Sequence, residues 1–113
     1  MTQSSSAAAA AAKLSDSQMA ALAATLPHWS LTRERGGELH REFVFHDFAQ
    51  AFGFMSQVAV YAEGRNHHPE WFNVYNRVKV VLTTHDVDGL SGKDLDMATF
   101  MDRIAAALAS QAA

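Results

Sequence analysis

Phe72 to Thr84 is the longest run of alternating side chains in the chain, and it constrains the fold more than any other stretch. Val74, Val78, Val80 and Leu82 fall on one side of it, and Tyr75, Arg77, Lys79 and Val81 on the other. A period of two marks a strand with one buried face. A strand needs partners, and two earlier runs qualify. Trp29 to Arg33 is short. Glu38 to Phe45 alternates, with Leu39, Phe43 and Phe45 on one face and His40, Glu42 and His46 on the other. Gly36-Gly37 supplies a turn between the two, because glycine tolerates positive φ. Arg41 falls on the apolar face of the second run, so it is either near the sheet edge or paired.

Three helices surround these strands. Ser15 and Gln18 have the spacing of a capping box, and Leu14 and Met19 that of a hydrophobic staple. Met19, Leu22, Ala23 and Leu26 continue as one apolar stripe until Pro27 stops it. Asp47 is a good N-cap for a second helix, with Gln50 three residues on. Phe48, Ala51, Phe52, Met55, Val58, Ala59 and Ala62 repeat at helical spacing there, and Gly64 reads as its stop. Phe54, Val60 and Tyr61 lie off that stripe, so this helix is apolar beyond one face and calls for a second burial partner, naturally another subunit. Asp88-Gly89 marks a turn. Ser91 with Asp94, and Leu90 with Leu95, then open a third helix, whose apolar side is Leu95, Phe100, Met101, Ile104 and Leu108. The expected order is α-β-β-α-β-α. Without βαβ alternation this is an α+β fold, an antiparallel sheet with three helices packed on one face.

At 113 residues the chain has room for one core. We expect a single domain over 14–108, a disordered low-complexity tail at 1–13 and a short tail at 109–113. The alanine run in the first tail lacks bulky apolar residues and a charged leader, which does not fit a secretory signal. A net charge of -3 with no basic run weakens a direct nucleic-acid role. No apolar run approaches the ~20 residues of a membrane span. There is no cysteine, which excludes disulfides and thiolate zinc sites and makes a reducing cytoplasm the simplest location.

The chemistry concentrates in residues 63–85. His67 and His68 are adjacent and followed by Pro69, and His85 ends the long strand. A histidine near its unperturbed pKa of ~6.5 can both give and take a proton at neutral pH. Two on opposite sides of a substrate make an acid-base pair, worth typically ~10²–10⁴ in rate. Pro69 restrains His68 to extended conformations, so His67 and His68 should point different ways. Adjacent loop histidines also occur as plain surface residues, and three histidines can hold zinc. Against zinc, adjacent histidines seldom direct both rings at one ion, and there is no helical His-x-x-x-His. Asp94 has a structural role in its capping box, yet a carboxylate there can also orient an imidazole. Glu63 is either a solvated carboxylate or a histidine partner. Trp71 and Phe72 read as core, and His28, His40 and His46 as surface.

These residues resemble the pterin-4a-carbinolamine dehydratases. The resemblance rests on Ala62-Glu63, on His67-His68-Pro69-Glu70-Trp71-Phe72-Asn73-Val74-Tyr75-Asn76-Arg77-Val78, on Leu82-Thr83-Thr84-His85, and on Gly89-Leu90-Ser91 followed by Asp94. Arg41-Glu42-Phe43, Asp47-Phe48, Ala51-Phe52-Gly53-Phe54-Met55 and Val58-Ala59 add to it, so that it covers roughly residues 14 to 106. Asn66 stands where an aspartate is common, and Asp88 where many members have glycine. The resemblance implies dehydration of 4a-hydroxytetrahydrobiopterin, or a related pterin, to the quinonoid dihydropterin, recycling the cofactor of aromatic amino-acid hydroxylases without metal or cofactor. It implies catalytic roles for His67, His68, His85 and Asp94. Pterin contacts would come from Asn66, His67, His68, Thr83, Thr84, His85 and Asp86. His67 and His85 are the expected acid-base pair, with His68 binding or assisting. It also implies a homodimer or homotetramer. Family members in animals additionally serve as dimerisation cofactors of a homeodomain transcription factor, which gives an alternative: an interaction module without essential catalysis.

Overall fold

The computed structural model describes residues 11–111. Most of the expected 1–13 tail and the last two residues of the 109–113 tail lie outside them. Ser15 caps the first helix, its hydroxyl accepting from the Gln18 N–H at 3.1 Å while the Gln18 side chain accepts from the Ser15 N–H at 2.8 Å. The helix comes in two short pieces, α1 (Asp16–Ala20) and α2 (Leu22–Thr25). β1 (Ser30–Thr32) and β2 (Glu38–Val44) follow, then α3 (Phe48–Arg65), β3 (Glu70–Val74), β4 (Arg77–Leu82) and α4 (Gly92–Gln111). Upstream of α1, Lys13 makes an isolated bridge to Ser91.

The sheet runs β1-β2-β4-β3, and every neighbouring pair is antiparallel. Leu39, Phe43, Val78, Val80 and Leu82 project from one face and are buried. Against them pack Met19, Leu22 and Leu26 from the first helix, Ala51, Phe54, Val58 and Ala62 from α3, and Met97, Ala98 and Met101 from α4. The opposite face carries the exposed Val44, Phe72 and Val74. This is the expected α+β class, with the helices on one face.

Three expectations change. The long alternating run is two strands, giving α-β-β-α-β-β-α. A hairpin at Tyr75-Asn76 folds it back, with Tyr75 at φ 49. The Asn73 amide donates to the Tyr75 and Arg77 carbonyls, and the Asn76 amide donates to the Phe45 carbonyl. These asparagine side chains make the turn without glycine or proline. The reversal puts Val74 opposite Arg77 on the outer face, and leaves Phe72 63% exposed rather than in the core. Trp71, one residue earlier, does pack against the core.

The second change is the phase of α3. Phe54 sits in the core with Ala51, Val58 and Ala62, while Phe48 and Phe52 face outward and touch one another. The chain carries two apolar stripes on this helix, and the sheet takes the one with the smaller flanking residues. The third is its end. The helix passes through Gly64 and stops at Asn66, which is left-handed at φ 50. The Asn66 N–H donates to the Glu63 carbonyl and the His67 N–H to the Ala62 carbonyl, a Schellman arrangement whose left-handed position usually takes glycine and sometimes asparagine. Arg41 is the paired alternative, not the edge one. β2 is interior, and the Arg41 guanidinium donates to Asp102 on α4 at 2.5 Å while lying over the Phe43 ring.

Phe54 is fully buried between the rings of Phe43 and Phe45. Phe54→Ala is expected to lower the unfolding free energy by about 3–5 kcal/mol, read from urea denaturation at fixed protein concentration.

Candidate active site

The end of α3 delivers the first histidine. Because Asn66 is left-handed and the His67 N–H is bonded back to Ala62, the His67 backbone is fixed immediately after the helix. Its ring is buried, and Nε2 meets Asp94 Oδ1 at 2.7 Å. Asp94 is fully buried in the first turn of α4. Its Oδ2 accepts from the Thr84 hydroxyl at 2.6 Å and from the Ser91 N–H at 3.0 Å. The Ser91 hydroxyl lies 2.8 Å from Thr84 and accepts from the Lys93 N–H. Asp94 therefore caps the helix with one oxygen and holds an imidazole with the other. An ionised carboxylate only accepts, so His67 Nε2 carries a hydrogen and Nδ1 is left to exchange a proton.

His68 follows in the extended stretch before Pro69. It turns to the surface, where Nε2 meets Glu63 Oε1 at 2.9 Å. Glu63 is thus both solvated and a histidine partner. His85 stands in the turn after β4, exposed, with Nε2 3.6 Å from Glu70 Oε2. Glu70 opens β3 and is gripped by Arg35, whose Nη1 and Nη2 each donate to one carboxylate oxygen at 2.8 Å. Arg35 Nε also donates to the buried Glu38, which bonds His40 at 2.8 Å through its other oxygen.

The three histidines ring one cavity of about 360 Å³, also lined by Asn66, Pro69, Glu70, Thr83, Thr84, Asp86 and Lys93. That volume is in the range of small-molecule sites. The expected residues are therefore brought together. Thr83 and Thr84 line the cavity, but their hydroxyls are already engaged, Thr83 with the Gly37 carbonyl and Thr84 with Asp94. Asn66 and Asp86 are exposed at the rim. The three histidines have three different carboxylate partners, and Asp94 serves His67 rather than the sequence-nearer His85. Among the described residues no group of three His, Cys, Asp or Glu side chains is arranged to hold a metal ion. Sequence reasoning missed Lys93, Arg35 and the pairing of Glu70 with His85. Only the Gly36-Gly37 pair beside Arg35 hinted at a special turn.

The family profile described as Pterin 4 alpha carbinolamine dehydratase matches residues 12–104, which contain the whole cavity. The chain belongs to this family. A protein of Novosphingobium aromaticivorans, named "Putative pterin-4-alpha-carbinolamine dehydratase", is 59% identical over 91 residues, covering 80% of this chain and 94% of the relative. One of the same name from Burkholderia vietnamiensis is 54% identical over 81 residues, covering 72% and 78%. Among solved structures, a transcriptional coactivator/pterin dehydratase from Brucella melitensis superposes with a TM-score of 0.78 at 46% identity, covering 83% of this chain and 99% of that one. A pterin dehydratase-like protein described as a RuBisCO assembly factor in the alpha-carboxysome shares the fold, with a TM-score of 0.60 at 22% identity, covering 68% and 88%. No helix among the described residues is long and apolar enough to cross a membrane.

The Arg35 hydrogen bonds hold the Glu38 and Glu70 carboxyls below the usual glutamate range, outweighing the opposing effect of burial. A carboxyl lowered on folding adds stability above its unfolded pKa of ~4.3, and that stability is lost as pH falls through the folded value. Thermal stability should therefore fall as the solution is acidified below about pH 4. In Glu38→Gln that acid-side decline should be shallower, with a lower plateau at neutral pH, as calorimetry across a pH series would show.

Proposed function

We propose that this chain dehydrates 4a-hydroxytetrahydrobiopterin, or a closely related pterin, to the quinonoid dihydropterin, recycling a hydroxylase cofactor in the cytoplasm. The observation that carries the reading is the buried His67–Asp94 pair on a cavity that His68 and His85 also line. The reaction breaks the C4a–O bond and forms a C4a=N5 double bond. The hydroxyl leaves as water with one added proton, and the N5–H proton is lost. His67 suits the second transfer. Asp94 fixes its tautomer and supports the positive charge that develops as Nδ1 takes the proton. His85 suits the first, since an exposed imidazolium beside Glu70 can donate to the departing hydroxyl and be reprotonated from solvent. His68, tied to Glu63, holds the pterin from the third side. Neither transfer calls for a metal, so a chelator should leave turnover unchanged.

The test is turnover of chemically generated 4a-hydroxytetrahydropterin, followed by absorbance of the quinonoid product. The folded protein should accelerate it, and His67→Ala and His85→Ala should each lose about 10²-fold or more in kcat. No acceleration by folded wild-type protein would sink the assignment.

The outward side of α3 supports assembly. Phe48 and Phe52 on one stripe are 49% and 57% exposed, and Val60 further round the helix is 76% exposed, a large apolar surface for one helix to leave in water. Self-association of the chain through this side covers it, giving a homodimer or homotetramer. Phe52→Glu should shift the protein to a smaller species by light scattering without loss of folded signal. An unchanged mass would exclude this surface. The same stripe would serve the interaction-module reading, in which His85→Ala would cost turnover and leave partner binding intact.

A further inference from the structure

Arg35 occupies a backbone position that its residue type does not favour. Its φ is 52, in the left-handed region where glycine and asparagine are usual, and Gly36 follows at φ 83. The turn is pressed against the loop after His85. A Cβ on Gly36 would lie 1.8 Å from the Asp88 carbonyl oxygen, and one on Gly89 would lie 2.8 Å from the Gly36 carbonyl oxygen. Backbone held in such a region persists only where surrounding structure over-determines it, and it is a pointer to function. What the turn achieves is to aim one guanidinium at two carboxylates. Nε is anchored on Glu38, which is 4% exposed, and the two terminal nitrogens grip Glu70 at 2.8 Å each. Glu70 is the carboxylate facing His85 Nε2 at 3.6 Å.

We propose that Arg35 is a positioning residue for the reaction: by its two-pronged grip it holds the Glu70 carboxylate against His85 and so fixes the orientation of the imidazole that protonates the leaving hydroxyl. The inference rests on the dehydratase reading for the reaction, but the clamp itself is a property of the free protein. An arginine is suited to this task because its planar fork matches a carboxylate in two places, whereas lysine offers a single point charge. The grip also divides Glu70 between two cations. Without Arg35, the whole carboxylate is free for His85. Without the Glu70 charge, Arg35 faces His85 with only Glu38 to balance it. The other titratable groups around the ring are His67, His68, Asp86 and Lys93 on the cavity side, and Lys13 and Asp88 in the hollow that His85 shares with Arg35. All of these are retained in both variants.

The experiment compares Arg35→Gln, Arg35→Lys and Glu70→Gln with wild type by NMR titration of the His85 ring and by the pH profile of kcat and KM. The clamp predicts opposite displacements. The His85 titration moves to higher pH in Arg35→Gln and to lower pH in Glu70→Gln, because the first frees a negative partner and the second removes it. In both, kcat falls about tenfold while KM changes little, since a proton transfer is disturbed rather than binding. Arg35→Lys restores charge without the fork and recovers only part of the loss. A merely structural clip would lower the melting temperature and leave kcat and its pH profile in Arg35→Lys, which keeps the charge, superimposed on wild type, which would overturn the proposal. Displacement in the same direction in both glutamine variants would also overturn it. Should Arg35→Gln fail to fold, Arg35→Lys decides, since it keeps the charge and lacks the fork: a lowered kcat with unchanged KM supports the clamp, and wild-type kcat overturns it. A wild-type protein without turnover would remove the dehydratase reading, while the NMR arm would still decide the clamp.

Discussion

The fully buried carboxylate of Asp94 is the contact on which the site depends. A carboxylate withdrawn from water is costly unless its oxygens are satisfied. Here Thr84 and the Ser91 N–H bond one oxygen, and His67 bonds the other. Those partners come from three parts of the chain: the end of β4, the start of α4, and the loop leaving α3. Satisfying the charge therefore joins them, and the cavity wall is the result. One buried carboxylate thus caps α4 through one oxygen and holds the His67 imidazole through the other.

Much of this was legible in the sequence where the determinants are local. The Ser15 capping box and the Asp47 N-cap depend on neighbours three residues apart, and both form as read. Leu39, Phe43, Val78, Val80 and Leu82 are buried on one sheet face because alternation reports a strand's two sides directly. The hairpin was hidden because Val74 and Val78 look like one alternating face in the sequence, although the two-residue reversal, unmarked by glycine or proline, puts them on opposite faces. Its determinants are side-chain amides reaching backbone carbonyls, among them Asn76 reaching Phe45 far away in sequence. The phase of α3 was hidden for another reason. Two apolar stripes on one helix compete for the sheet, and only packing volume chooses between them.

The site divides the same way. His67, His68 and His85 stood out because their spacing and the adjacent proline carry meaning within one stretch. Asp94 stood out as a cap, but its actual imidazole partner was not readable, since His85 is nearer in sequence and His67 is nearer in space. The Arg35–Glu70 pair was invisible for a similar reason. It joins residues 35 apart in sequence, and its geometry follows from a strained turn that two glycines allow to approach the His85 loop.

What distinguishes the three histidines is their carboxylates. His67 has a fully buried one, held by three donors including the ring itself. His68 has an exposed one in the last turn of α3, with both partners in solvent. His85 has one that is already shared with an arginine and stands slightly beyond hydrogen-bond reach. A ring locked in one tautomer is prepared to take a proton in a single direction. An exposed ring whose partner is half engaged elsewhere is free to release its proton and regain it from water. The same residue type thus meets three different settings, and the difference comes from how each neighbouring carboxylate is itself held; under the dehydratase reading proposed above, they suit a fixed acceptor, a tethered contact and a replenishable donor.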